Sequence, residues 1–131
     1  YFKEKISLIR NRMKHSLSWP LHIKIINGCC WALPFTLIIV FPQYFQYLIL
    51  LGIGLGNFST YIFMKLFSNQ NNTEQILVGL VALLAIPIAI EIDTSLFVFH
   101  QDIAILLSRL LISISYAIGG TYALFSKIEI E

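Results

Sequence analysis

The feature most clearly missing from this sequence is charge. Only 12% of its 131 residues are Asp, Glu, Lys or Arg, about half the fraction in soluble proteins. Apolar residues make up 57%, the mean hydropathy is +0.77, and residues 25–64 contain no charged residue at all. A soluble protein of this composition would have too few charges to cover its surface. The sequence therefore predicts a single domain embedded in a membrane.

Other absences exclude several classes of function. The two cysteines, Cys29 and Cys30, are adjacent, so they form neither a normal disulfide nor a CxxC motif. No nucleophile, base and acid form a recognisable catalytic set. The basic residues lack the interleaved aromatic platform of a nucleic-acid surface. We expect a chain that is not an enzyme on its own, with no cofactor and no nucleic-acid partner.

The uncharged stretch 25–64 is too long for one membrane crossing. As a single helix it would extend about 60 Å, twice the thickness of the hydrocarbon core. Pro42 has no N–H to donate to a helix, and it disfavours the helical conformation at Phe41. The stretch therefore predicts two spanning helices joined by a tight turn at Phe41-Pro42.

We predict an all-α, integral membrane four-helix bundle with an N-terminal cytoplasmic amphipathic helix. The transmembrane domain covers residues 21–131. Its predicted spans are 21–41, 44–64, 75–92 and 103–125. A polar loop follows the second span, and an acidic loop follows the third. Pro34 and Pro87 are expected to kink the first and third spans.

The N-terminal segment 1–20 has the pattern of an interfacial helix. Its apolar residues recur at helical spacing and form one stripe: Phe2, Ile6, Ile9, Met13 and Leu17. The basic residues of the segment lie off that stripe. This combination is typical of a helix lying in the lipid headgroup region. The alternative is a helix that binds a partner in a larger assembly.

The distribution of basic residues predicts the orientation in the membrane. The N-terminal arm carries six Lys or Arg residues, counting Lys24. The second loop carries Lys65 and the C-terminal tail Lys127, whereas the first and third loops have no Lys or Arg. By the positive-inside rule, the N- and C-termini are cytoplasmic and the first and third loops face outward.

Small residues recur on two of the predicted spans. Gly52, Gly56 and Thr60 form a row on the second span, and small residues at this spacing allow close helix approach. The fourth span has two rows about 120° apart. One contains Asp102, Arg109, Ser113, Tyr116 and Gly120, and the other contains Ser108, Ser115, Gly119 and Ser126. We assign helix packing to Gly52, Gly56, Thr60, Ser115 and Gly119.

Arg109 is the most distinctive residue for function, because it lies inside a predicted span. An intramembrane arginine is costly and nearly always has a partner. Asp93 is the preferred partner, followed by Glu91, and Asp102 is two turns away on the same face. We interpret these residues as an ion pair that fixes helix register or, alternatively, as a site for a proton, an ion or an anionic ligand.

The outer acidic loop has side chains of the types that bind metals. They are Glu91, Asp93, His100 and Asp102. Their spacing matches no known metal motif. We therefore expect no metal, and His100 and Asp102 are only weak candidates for an extracytoplasmic metal site.

Two functional hypotheses remain. The first is a non-catalytic accessory subunit of a larger integral-membrane complex, with the lipid bilayer and other membrane subunits as partners. Small size, small-residue helix faces and the missing catalytic set favour it. The second is a homo-oligomeric small transporter or channel with an Arg109 and carboxylate site near the outer face. The polar row on the fourth span favours this alternative.

Overall fold

The computed structural model of the chain describes residues 2–16 and 18–126, which contain five α-helices and no strand. The helices are α1 (Phe2–Ser16), α2 (Leu21–Val40), α3 (Phe45–Ser68), α4 (Thr73–Glu91) and α5 (Gln101–Phe125). A 3₁₀ turn, Pro42–Tyr44, joins α2 to α3, and a π-helical segment, Ile92–Leu96, follows α4. Leu17 and Lys127, used in the predictions above, lie outside the described residues.

The prediction of an all-α chain with four long apolar helices is confirmed. Helices α2 to α5 are each long and apolar enough to cross a membrane. Helix α3 continues beyond the predicted end at residue 64 because no helix breaker occurs there. It ends at Ser68, and the next residue, Asn69, has a φ of 49°, the left-handed conformation common after a helix C-terminus.

Helices α3 and α4 form the centre of the molecule and cross closely. An ideal Cβ placed on Gly79 would lie 3.0 Å from the carbonyl oxygen of Gly54 and 3.1 Å from the backbone nitrogen of Phe58. Only glycine allows the two backbones to approach this closely. The buried residues around this crossing are Leu50, Ile53, Val78, Ala82, Ala85 and Ala89. Helix α5 packs mainly against α4 and also contacts α3.

Helix α2 is the least enclosed of the four long helices. Among the described residues it contacts α3 but neither α4 nor α5. Of the apolar window of α2, 11% is buried, against 44% for α3. The reason is that the small residues of α3 that face α2 lie on a separate side from those that face α4. The core is therefore a three-helix group, α3 to α5, with α2 attached to the outer side of α3.

The two ends of the helices differ in charge. The end that contains the start of α3, the π-helical segment and the start of α5 is called the Asp93 end. Acidic residues collect there: Glu91, Asp93 and Asp102. The opposite end is called the Trp19 end, because Trp19 there donates to the Ser68 hydroxyl across 2.9 Å. Basic residues from α1, α2 and α3 collect at this end.

Helix α1 lies at the Trp19 end, in contact with α3. The Lys5 ammonium is buried and donates to the backbone carbonyls of Ala123 and Leu124. The last carbonyls of a helix have no partner within it and carry partial negative charge, so a cation stabilises them. The apolar stripe of α1, including Phe2 and Met13, is exposed.

Candidate functional site

The polar centre of the helical core is Asp93. It lies in the π-helical segment Ile92–Leu96, which begins immediately after α4. Such segments are rare, and they occur frequently at functional sites. Because α4 packs on α3 and α5 through its small residues Ala82, Ala85 and Ala89, a side chain on the same stripe faces those two helices. The half-buried Asp93 is on that stripe.

Three neutral side chains from two other helices donate to the Asp93 carboxylate. Gln46 Nε2 donates to Oδ2 across 2.8 Å, and the Tyr47 hydroxyl donates to the same oxygen. Ser108 Oγ donates to Oδ1 across 2.9 Å. Hydrogen bonds to a charged acceptor are the stronger ones in proteins. This group of Asp93, Gln46, Tyr47 and Ser108, called the Asp93 cluster, therefore ties α3, α5 and the end of α4 together.

The predicted ion pair of Arg109 is not formed within the described residues. The Arg109 guanidinium lies over the Phe45 ring, 5.5 Å from the centroid, and makes a cation–π contact. The reason is helix geometry. Ser108 is fully buried against the core, and the next residue points about 100° away from it. Arg109 is therefore exposed, and Asp93 uses neutral donors instead.

Comparisons of the chain with protein-family models, curated proteins and solved structures found no match.

The two polar rows of α5 have opposite environments. Ser108, Ser115 and Gly119 are buried against α4 and the Asp93 cluster. The other row faces outward. Its residues Arg109, Ser113, Tyr116 and Gly120 are all exposed, and are called the α5 polar face. An ideal Cβ on Gly120 would have no neighbour within 4 Å. Within the described chain, nothing covers this part of α5.

The residues assigned to helix packing lie at helix contacts. An ideal Cβ would lie 2.8 Å from the Phe35 ring at Gly52 and 2.3 Å from the Trp31 indole at Gly56. At Gly119 it would lie 2.1 Å from Val78 Cγ2. Ser115 is fully buried, and its hydroxyl donates to the carbonyl of Leu111 in its own helix across 2.9 Å.

A second polar group holds α2 on α3. Asn27 Oδ1 accepts from Ser59 Oγ across 2.7 Å and from Thr60 Oγ1 across 3.0 Å. The Trp31 indole N–H donates to Thr60 Oγ1 across 3.1 Å. Interhelical bonds of this kind join helices where the surroundings are apolar. They place Thr60 in a hydrogen-bonding role as well as in the packing row.

The weak metal candidates do not come together. Glu91, His100 and Asp102 are exposed. No group of three or more Asp, Glu, His or Cys side chains with the geometry to hold a metal lies within residues 2–16 and 18–126. The acids of the Asp93 end are spread over its surface, apart from Asp93 itself.

The sequence analysis singled out Asp93 as the preferred partner of Arg109 but missed the three side chains that donate to its carboxylate. Gln46 and Tyr47 lie in the first turn of α3, where polar residues look like ordinary interfacial residues. Ser108 was visible as a member of a small-residue row. The signal that combines them is positional, because the start of α3, the end of α4 and the start of α5 meet at one end of an antiparallel helix group.

Proposed function

We propose that this chain is a non-catalytic, multi-pass subunit of a larger integral-membrane complex. It docks a membrane-spanning helix of a different subunit through the α5 polar face. The observation that carries the proposal is the outward position of Arg109, Ser113, Tyr116 and Gly120 on a helix that is apolar and long enough to cross a membrane.

The charge of Arg109 makes this surface costly to expose to lipid. Arg109 lies eight residues after Gln101, the first residue of α5, which is about 12 Å along the helix. An arginine at the bilayer centre costs about 2.5–3.5 kcal/mol on insertion scales, and such residues normally face protein or water. A partner helix with a carboxylate at the same depth would remove that cost.

Snorkelling lowers the cost of membrane insertion for only part of the α5 polar face. Arg side chains on a helix point toward its N-terminus, which for α5 is the Asp93 end. The contact with Phe45 follows that direction. Ser113 and Tyr116 lie one and two turns deeper along the same face, and Gly120 lies deeper still. A helix docked along this row would satisfy the hydroxyls and use the open space at Gly120 for close approach.

Charge also favours a different subunit over a second copy of this chain. A two-fold axis normal to the membrane and passing beside the α5 polar face would bring two Arg109 side chains together at one depth. Like charges at close range are unfavourable, most of all where water is excluded. A helix with an intramembrane Asp or Glu complements the face instead.

The alternative of a homo-oligomeric transporter or channel has less support. It depended on a site made of Arg109 and a carboxylate, and in the described chain Arg109 contacts Phe45 while Asp93 is bonded to neutral groups. The acidic Asp93 end and the basic Trp19 end agree with an orientation in which the Trp19 end is cytoplasmic. The exposed apolar stripe of α1 supports its placement at that membrane surface.

Purification from native membranes in a mild detergent, followed by mass spectrometry, tests the proposal. The decisive variant is Gly120→Leu, because the new side chain blocks close helix approach at a position where an ideal Cβ has no neighbour within 4 Å. Gly28→Leu on α2 is the matched control, since an ideal Cβ there also has no neighbour within 4 Å. Arg109→Leu removes the charge separately.

We expect a distinct membrane-spanning protein with an intramembrane Asp or Glu to co-purify with the unaltered chain and with Gly28→Leu. The same protein should be lost from Gly120→Leu and from Arg109→Leu. A homo-oligomer without a second protein would favour the transporter alternative. Retention of the partner by both α5 variants would overturn the docking surface.

A further inference from the structure

We propose that α1 docks on the bilayer surface and selects anionic phospholipid through a row of three basic residues, Lys3, Arg10 and Lys14. This role rests on the membrane placement in the proposed function, but it is independent of the partner of α5. The occupant of the exposed face of α1 is then lipid. The position of α1, the order of its faces and the charge around it all favour that occupant.

Lys5 fixes α1 at the end of a membrane-spanning helix. Its ammonium donates to the backbone carbonyls of Ala123 and Leu124, in the last turn of α5, which ends at Phe125. Helix α5 is long and apolar enough to cross a membrane, so in the proposed placement its last turn marks one boundary of the hydrocarbon core. Helix α1 therefore lies at the depth of the lipid headgroups.

The apolar stripe of α1 lies beside the face that holds Lys5. Within the helix the stripe consists of Phe2, Ile6, Ile9 and Met13, which fall within about 60° of one another and are 45–68% exposed. Lys5 lies about 70° from the centre of the stripe. Because the Lys5 face is directed at the end of α5, the stripe is directed at the lipid beside the helical core.

A row of basic residues borders the apolar stripe on the side away from Lys5. Lys3, Arg10 and Lys14 fall within about 40° of one another and about 90° from the centre of the stripe. All three are exposed, and they are called the α1 basic row. Glu4, the acid of α1, points about 100° away from the row. Cations at the edge of an apolar stripe reach headgroup phosphates while their aliphatic stems cover apolar surface.

The charge of the Trp19 end favours anionic over zwitterionic lipid. Among its described residues, five Lys or Arg on α1 together with Lys24 and Lys65 stand against Glu4 and Glu74, so seven positive and two negative charges give +5 with histidine neutral. Each Lys or Arg near an anionic membrane surface strengthens attachment about fivefold. A protein partner would need carboxylates at matching positions, whereas an anionic bilayer offers negative charge along the whole length of α1.

Amide hydrogen exchange of the purified full chain in lipid nanodiscs tests this role of α1. One set of discs contains phosphatidylcholine alone, and the other contains equal parts of phosphatidylcholine and phosphatidylglycerol. No second protein is present, so the result does not depend on the α5 partner. We expect exchange in α1 to be slower in the anionic discs by roughly ten- to a hundredfold, with exchange in α3 and α4 unchanged. About 1 M NaCl should remove most of the difference, because it shortens the Debye length to about 3 Å.

The triple change Lys3→Gln, Arg10→Gln and Lys14→Gln should abolish the difference between the two sets of discs. Lys65→Gln is the matched control, because Lys65 is an exposed lysine of the same end that lies on α3, and it should keep most of the difference. Circular dichroism establishes that each variant is folded, and the salt dependence of the unaltered chain needs no variant.

Equal exchange of α1 in the two sets of discs would overturn this role, as would a difference that the triple change leaves intact. Protection of α1 in native membranes combined with equal exchange in the discs would overturn it in favour of a protein partner.

Discussion

The adjacent glycines of α5 provide a stringent check of how α5 packs on α4. Gly119 and Gly120 differ by one position, but they point about 100° apart on the helix. An ideal Cβ at Gly119 would lie 2.1 Å from Val78 Cγ2 and 3.1 Å from the Glu74 carbonyl oxygen, whereas at Gly120 nothing lies within 4 Å. Alanine at Gly119 should therefore force the helices apart, and alanine at Gly120 should not.

The expected difference in stability between the two alanine variants follows from helix propensity and from packing at the interface. Each Gly→Ala change gains up to about 1 kcal/mol of helix propensity, and this gain cancels when the two variants are compared. Gly119→Ala also overpacks the interface, which typically costs about 1–3 kcal/mol. Val78 is β-branched and stiff in a helix, and the Glu74 carbonyl belongs to the backbone. We expect Gly119→Ala to be less stable than Gly120→Ala by about 1–3 kcal/mol.

Thermal or denaturant unfolding of both variants in one detergent, followed by circular dichroism, measures this difference. Addition of Val78→Ala to Gly119→Ala should recover part of the loss, because it removes the nearest clashing atom. Equal stability of the two alanine variants, within about 0.5 kcal/mol, would show that Gly119 does not face α4 as described.

Three further changes have definite expected outcomes. Ser108→Ala removes a hydrogen bond to the charged Asp93 and should lower the free energy of unfolding by about 1.5–3 kcal/mol, whereas Ser115→Ala should lower it by less, as denaturant titration would show. Trp31→Ala removes the indole that packs between α2 and α3 and should lower the free energy of unfolding by about 3–5 kcal/mol. The loss should appear as early protease cleavage within α2. Lys5→Gln removes the charge at the end of α5 and should raise amide hydrogen exchange in α1, while exchange in α3 and α4 stays unchanged.

The helices could be predicted from sequence because their determinants are local. Long uncharged runs, Pro42 and the polar loop after α3 define them almost without reference to tertiary contacts. The residues at which the helices end are less well determined by local sequence. Asn69 ends α3 by adopting a left-handed conformation, and nothing local distinguishes it from the neighbouring polar residues as the site of that turn.

The packing of the helices depends on which helix faces are in contact, and sequence periodicity identifies those faces only in part. The rows on α5 were visible, but their spacing does not say which one is buried. Gly54 shows the same limit. It lies between the two glycines that face α2, yet its carbonyl oxygen lies 3.0 Å from an ideal Cβ on Gly79 of α4. In the described chain Arg109 contacts Phe45, and neutral donors on α3 and α5 satisfy the Asp93 carboxylate; a functional role for these residues stays a prediction.

Site-directed photocross-linking in native membranes tests the docking surface most directly. A photoreactive amino acid replaces Ser113, at the middle of the α5 polar face, and a control replaces Leu33, an exposed residue of α2. We expect the probe at 113 to form one adduct with a different membrane-spanning protein carrying an intramembrane Asp or Glu. That adduct should disappear when Arg109→Leu is added and be absent from the probe at 33. Adducts at 113 with lipid alone, or with a second copy of this chain, would contradict it.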